Sequence, residues 1–386
     1  MASHVEIKSV NFAEDSLYKT QTVQIRGKSF KTPIKAMDLN RYIVGLNINP
    51  VVKGVNEICK KFNSTRINTA LTTNREEEIN REIDAVKKKY SSEDDVNICF
   101  VEFEENNLPN QIETDYLTNL SYAHSDITPL PIIPKFFKVS TSDINTRFMK
   151  YCEFINNAIA TINIHNQKPI MGIMPMSLPT IFMPELIEIY RKEGINSIFL
   201  DFQGATVNGA VTKIRNLVMT LKRQSLLENT FIYSLNLGPG KLPKSKDVVP
   251  AKDILSFGYG FDSIGGMHVQ KKLPPEVRER ILRSQNIFEY SLRLFNKQDY
   301  GYYRASKPET IHKIYPGDSS IPPNILERSR KIGNVDKLFN QEQLGLEAVN
   351  LRSVINQNSE LLKYLGTKQY VEKNDIKILS KIKTKK

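Results

Sequence analysis

Between residues 96 and 236, short unbroken apolar runs alternate with amphipathic stretches. No other feature narrows the fold as much. "VNICFVEF" (96–103), "KPIMGIMP" (168–175), "NSIFLDFQG" (196–204) and "TFIYSLNLGPG" (230–240) read as strands apolar on both faces, and "SDITPLPIIP" (125–134) as a proline-rich extended segment. Between them, "NTRFMKYCEFINNAIATINI" (145–164), "PELIEIYRKEG" (184–194) and "AVTKIRNLVMTLKRQ" (210–224) carry apolar residues at helical spacing. Strands buried on both faces and separated by helices indicate parallel βαβ units. Right-handed crossovers leave an open doubly wound sheet or a closed barrel. No GxGxxG follows the first strand, and there is no Walker A motif. Successive units instead end in Gly, Pro or acidic residues, at the strand ends where a (β/α)8 barrel collects its site. The expected fold is α/β, a (β/α)8 TIM-type barrel with wall strands near 97–103, 126–133, 169–174, 197–202, 231–236 and 254–259.

The flanks read differently. Residues 5–40 alternate apolar and polar positions, as in "TVQIRGKSF", and predict a small β element. "PVVKGVNEICKKF" (50–62) and "NREEEINREIDAVKKKY" (74–90) read as helices, the second with a solvated Glu/Lys face. After residue 275, "PEVRERILRSQNIFEYSLRLFNK" reads as helical, followed by a Tyr-, Pro- and Gly-rich stretch and a final helix pair. The expected division is a β element at 1–40, barrel at 41–290, helical part at 291–366 and basic tail at 367–386.

The 54 basic residues exceed the 42 acidic ones, giving a net charge of +12, which points to a polyanionic partner. From Thr367 onward seven lysines face two acids, either a solvated, frayed tail or a nucleic-acid contact. Cys59, Cys99 and Cys152 are far apart with no CxxC pair, so no disulfide framework is expected. No apolar signal core or membrane-length run is visible, and a cytoplasmic location is expected. The five histidines show no metal-ligand spacing, so no metal and no cofactor are expected.

Chemistry concentrates in acids at apparent strand ends: Glu102, Glu104, Asp126, Asp201 and Asp262. On one barrel rim they would serve acid/base or nucleophilic work; singly, each reads as a cap or loop acceptor. Asp262 lies in "ILSFGYGFDSIGGMHV" (254–269), among Gly258, Gly260, Gly265 and Gly266 and before His268. Glycine costs backbone entropy, so either something approaches this backbone closely or the segment is a series of tight turns. "LNLGPGK" (235–241) reads as a phosphate cradle or a plain turn, and "DYGYYR" (299–304) as a base-stacking cluster or a packed aromatic turn. The methionines of "MGIMPM" read as core or pocket wall.

The order of segments from about 125 to 270 resembles the tRNA-guanine transglycosylase superfamily. "FINNAIATINIHNQKPIMGIMPM" is similar to the approach to that family's "GIVQGG" motif, and "ILSFGYGFDSIGG" to its "GVDMFD" strand. "YRKEGINSIFLDFQGATV" and "NTFIYSLNLGPGK" resemble the stretches between, and "GKSFKTPIKAMDL" the family's entry strand. The resemblance implies a (β/α)8 barrel that exchanges a guanine in tRNA or DNA for a deazaguanine-type base. One aspartate attacks the ribose C1′ and a second acid handles the proton. By position, Asp262 falls on the first acid of "GVDMFD", while the nucleophile's place falls at Gly265. Glu102 lies near the family's other catalytic strand. Phe202, Gln203 and Gly204 fall at the base-recognition loop after Asp201, and Gly172 and Met174 at the "GIVQGG" strand. The family's zinc site has no cysteines here to hold it. The expected site is therefore Asp262, Asp201 and Glu102 for chemistry, with Asp262 and Asp201 facing one pocket. A noncatalytic nucleic-acid-binding paralogue or subunit, and an unrelated barrel enzyme on a phosphorylated small molecule, are the alternatives. Nucleic acid is the expected partner, a membrane is not, and a homo- or hetero-oligomer is left open.

Overall fold

The computed structural model describes residues 4–384 apart from 74, 139–142, 166, 241–246, 270–274, 277–278, 280–291, 306, 329–333 and 358–359. Three antiparallel strands open the chain: β1 (Glu6–Phe12), β2 (Lys19–Ile25) and β3 (Lys28–Thr32). The β2–β3 turn runs through Arg26 and Gly27 at φ 51° and 84°, the left-handed pair that matches a two-residue hairpin to strand twist.

An extended segment follows, β4 (Ile34–Lys35) and β5 (Met37–Asp38), divided at Ala36. Next in the chain are β6 (Val55–Phe62), β7 (Val96–Phe103), β8 (Thr128–Pro129), β9 (Ile170–Pro175), β10 (Ser197–Asp201) and β11 (Phe231–Leu235). After β12 (Val248–Pro250) comes β13 (Ser263–Ile264). A six-stranded parallel sheet runs in the order β4-β13-β11-β10-β9-β8, and β5-β6-β7 form a three-stranded parallel sheet. Beyond β8, Ile132 bridges Glu102 in parallel; its N–H donates to Val101 O (2.9 Å) and its carbonyl accepts from Phe103 N–H (2.8 Å). β12 joins β14 (Leu292–Asn296) and β15 (Gly301–Ala305) in a separate antiparallel sheet.

The helices between parallel strands are α1 (Ser64–Thr72), α2 (Glu76–Tyr90), α3 (Gln111–His124), α4 (Ile144–His165), α5 (Met183–Lys192) and α6 (Val211–Arg223). Each buries one stripe, such as Leu186, Ile187 and Tyr190 in α5 or Ile214, Leu217 and Leu221 in α6. α2 buries little beyond Ile79 and Ile83, as its charge pattern indicates. No helix among the described residues is long and apolar enough to cross a membrane.

Four expectations are corrected. Residues 55–62 form a strand, not the end of a helix: Val51, Val55 and Ile58 fit a helical period by accident, but Val55, Asn56, Glu57 and Ile58 are all buried, as in a strand covered on both faces. Ile254–Tyr259 is a 3-10 helix closed by Gly260 at φ 89°, and the wall strand is the shorter β13 beyond it. The end of the helix expected after 275 is instead β14; residues 277–278 and 280–291 of that stretch lie outside the described residues. The basic tail is not frayed, since Lys373–Thr384 is a helix whose Leu379 and Ile382 are buried.

Candidate functional site

Register fixes which side chains share a face. Phe100 of β7 lies 5.1 Å from Phe199 of β10 and 5.4 Å from Tyr233 of β11, ring to ring between the two parallel sheets. A step of two residues adds Glu102 beside Phe100 and Asp201 beside Phe199, while Glu57 pairs with Ile98, two residues before Phe100. Glu57, Glu102, Asp201 and Tyr233 thus project from one face. Gly172 and Met174 belong to the other. The Tyr190 ring of α5 packs against Gly172, where an added Cβ would come within 2.7 Å; its hydroxyl accepts from Ile173 N–H (3.0 Å) and donates to Ile173 O (2.7 Å). The expected role of these two residues in holding a base is corrected, because this face is filled by α5.

Asp201 closes β10 and is buried. Its Oδ1 accepts from Asn236 Nδ2 (2.8 Å) and from Gln203 N–H (3.3 Å), and its Oδ2 from the Gln203 amide. Burial pushes its carboxyl above the ordinary range, against those hydrogen bonds. Gln203 and Asn236 sit at φ 52° and 56°, a left-handed conformation that non-glycine residues hold only where their surroundings enforce it. Lys138 reaches Gln203 Oε1 at 3.4 Å. Phe202 turns into the core against Phe261, which corrects its assignment to base binding; Gly204 stays at the loop, its N–H donating to Asn236 O. Glu102, at the carboxyl end of β7, pairs with Lys61 at 2.9 Å, and burial raises its carboxyl too.

Asn236 joins Asp201 to a second cluster, since its Oδ1 accepts from His268 N–H (2.7 Å). The His268 ring lies between two carboxylates, Nε2 3.2 Å from Glu57 Oε1 and Nδ1 3.7 Å from Asp38 Oδ2. Glu57 also accepts from the Tyr233 hydroxyl and Gly266 N–H; Asp38 accepts from Asn40 N–H (3.0 Å) and Arg41 Nε (3.2 Å). Burial alone would lower His268, but Glu57 and Asp38 raise it above the usual imidazole value. Burial alone would raise Glu57, yet His268 and Lys35 hold it below the usual range. Burial raises Asp38, with the Glu57 charge adding and His268 opposing. The arrangement sets an imidazole between two acids that favour its protonated form, suited to storing and passing a proton. The three side chains each place a ligand atom within 4.8 Å of the others, a set that suits a divalent cation. Both ring nitrogens face acids and Glu57 already takes two protein donors, so the proton arrangement fits the geometry better.

The glycines after β13 now have a cause. A Cβ at Gly265 would lie 2.6 Å from Tyr233 Cε1 and 2.8 Å from Glu57 Oε2, and one at Gly266 would overlap Glu57 Oε1. What approaches this backbone is the chain's own Glu57 carboxylate. Gly258 is packed as tightly, under Tyr18 and Leu379.

Asp262 is elsewhere. It precedes β13 and pairs with the amino end of β11: its N–H donates to Ile232 O, and its Oδ2 accepts from Ile232 N–H (2.8 Å). Lys19 lies 3.1 Å from Oδ2, both side chains wholly buried, and Thr32 Oγ1 is 3.4 Å from Oδ1. Asp201 ends its strand while Asp262 begins one, so the expectation that they face one pocket is corrected. The cause is the misplaced strand at 254–259, which set Asp262 after a strand rather than before it. Asp126 is also at an amino end, held by Lys28 at 2.9 Å. Of the "DYGYYR" cluster, Tyr300 and Tyr302 are buried and donate to Glu347 and Asp253 (both 2.6 Å), so they are packed, not free to stack. Gly238 of the expected phosphate cradle sits on Gly204 O, with Lys241 outside the described residues.

Sequence reasoning missed Glu57, Asp38 and Asn236 and gave His268 no role. The available signal was a single acid inside each of two apolar segments, "IKAMD" and "VNEIC". The chain matches no protein-family model, and no curated protein matches it.

Proposed function

We propose that the chain is a transglycosylase-like protein acting on the glycosidic bond of a guanine-type nucleoside in tRNA or DNA, built on a (β/α)8 barrel. The strand pairings support the barrel: β4 and β5 belong to one segment, one starting each parallel sheet, and the far edges meet at the Glu102–Ile132 bridge. The observation that carries the function is the Glu57 carboxylate lying over Gly265 and Gly266. Gly265 is where the resemblance calls for the nucleophile, so a carboxylate from β6 fills space that a β13 side chain would otherwise use. In this reading Glu57 attacks the ribose C1′, and the C1′–N bond of the departing guanine breaks as the C1′–O bond forms. Asp201 or Glu102, both shifted toward the neutral acid, gives the leaving base its proton. The incoming deazaguanine-type base then displaces Glu57 and returns a proton. No cofactor is needed.

A second reading is a noncatalytic nucleic-acid-binding relative. Glu57 favours it, being wholly buried with both oxygens engaged by protein donors. Incubation with labelled guanine and total tRNA or DNA separates the two. The first reading expects incorporation that Glu57→Gln lowers by roughly 10³-fold or more, since a nucleophile's loss is not shared by other groups. Salt-dependent nucleic-acid binding without incorporation installs the second reading, and neither activity sinks both.

A further inference from the structure

At the opposite ends of the parallel strands lies a cleft of ≈ 520 Å³ that the site above does not use. Arg26 and Lys28 reach it from the β2–β3 hairpin, Lys87 and Lys88 from the last turn of α2, and Lys168 from the approach to β9. The acids lining it are Glu93 and Asp126. Asp126 is already spent on Lys28 (2.9 Å) and Asn97 N–H (2.8 Å), and nearby Asp95 turns its carboxylate to Asn56 and Ser92 N–H. Arg26, Lys87 and Lys88 make no ion pair among the described residues. Lysines in a final helical turn are commonly explained by the helix dipole, which accounts for Lys87 and Lys88. It does not account for Arg26 and Lys168, which come from a hairpin and a loop; Lys28 is matched by Asp126.

Lys168 shows that the cations crowd one another. Its stem lies over the Tyr122 ring, 4.4 Å from ammonium to centroid, and its head donates to Tyr122 O. Burial pushes the ammonium down to about 8, with Arg26, Lys87 and Lys28 adding to the fall and Asp126 opposing it. Ser125 Oγ accepts from Cys99 N–H (2.8 Å), leaving its proton to donate into the cleft it lines.

We infer that this cleft is an anion site for a phosphate group, separate from the chemistry at the strand carboxyl ends. Point-charge lysines, an arginine fork and a hydroxyl donor are the equipment for phosphate oxygens. The space exceeds one phosphate, so the group arrives attached to something larger, a nucleic-acid backbone or a small phosphorylated molecule. The assignment stands whether or not Glu57 is a nucleophile.

The test uses the full chain and an Arg26→Asn/Lys88→Gln variant. Both positions are exposed, and asparagine tolerates the positive φ of Arg26. Lys168→Met, which keeps the stem on Tyr122, is the second variant. Titration calorimetry with pyrophosphate and with a short RNA duplex, in chloride buffer, reads the two sources, and unchanged circular dichroism confirms folding. Binding of either probe at or below the order of 1 mM, weakened at least about tenfold in both variants, supports the site. Loss confined to RNA, with a salt slope lower by about one per cation removed, assigns it to a nucleic-acid backbone. Loss with pyrophosphate as well assigns it to a free phosphorylated ligand. Wild type and variants binding both probes alike, or wild type binding neither, overturns the inference.

Discussion

Two buried charge clusters occupy opposite ends of the same parallel strands, and they are built on different plans. At the amino ends one acid meets one base. Asp262 is matched by Lys19, Ile232 N–H and Thr32, and Lys19 spends its remaining donors on Leu227 O (3.4 Å) and Thr230 O (3.2 Å). At the carboxyl ends Asp38 and Glu57 share one histidine, so the cluster's charge depends on a proton. A closed pair fixes the hairpin strand β2 to the parallel core. A pair of acids around an imidazole can change state without unfolding. The same residue types thus give a lock at one end and a titrating device at the other.

Breaking the lock has the largest expected effect. Lys19→Met leaves Asp262 as an unpaired buried charge, and should cost about 3–5 kcal/mol in urea unfolding. Lys19→Met/Asp262→Leu should recover most of that, since replacing both partners with apolar groups removes the orphan. A single-variant cost below about 1 kcal/mol would show that water reaches Asp262, and the contrast between the two ends would disappear.

Much of the frame was legible because β7, β9, β10 and β11 are buried on both faces and read as continuous apolar runs. The site was less so. β6 carries Asn56, Glu57, Lys60 and Lys61 in one strand, which hides its apolar pattern, so Glu57 was placed on a helix. β13 has only two residues, too short for periodicity to detect, and that shifted Asp262 to the wrong end. The glycines allow either a close approach or a series of tight turns, and at Gly265 and Gly266 it is the chain's own Glu57 carboxylate that approaches. Their partner lies more than two hundred residues earlier in the chain, and no local pattern reports a contact of that span.

The glycines sharpen the comparison at the carboxyl end. Gly266→Ala forces a methyl into the Glu57 carboxylate and should cost about 1–3 kcal/mol, the usual penalty for overpacking. Glu57→Ala empties that space, so the double variant should be more stable than the two single costs add up to. A coupling of at least about 0.5 kcal/mol in the double-mutant cycle is expected. Strict additivity would mean that the carboxylate does not rest on Gly266, and the proposed stand-in for a β13 nucleophile would lose its geometric basis.

The smallest effect is the most specific to the second cluster. His268 has its pKa raised in the folded state, so its stabilisation is complete below the unfolded value of about 6.5 and is lost as pH rises through the folded one. Glu57 is depressed, so its contribution is present above the unfolded value of about 4.3 and lost as pH falls through the folded one. Together they give a plateau with an alkaline edge due to the histidine and an acid edge due to the glutamate. Asp262 is raised by burial in spite of Lys19, so its contribution is complete below the unfolded carboxylate value and declines as pH climbs from there through the folded one. Urea midpoints from about pH 5 to 9 should therefore fall on the alkaline side in wild type, and His268→Gln should flatten that fall; because His268 also holds Glu57 down, the variant should weaken the acid edge as well. Lys19→Met, though far more destabilising, should leave the His268 edge where it is, because the two clusters lie at opposite strand ends. Parallel wild-type and His268→Gln curves across that range would mean the imidazole is neutral when folded, and the carboxyl-end cluster would then be as fixed in charge as the lock.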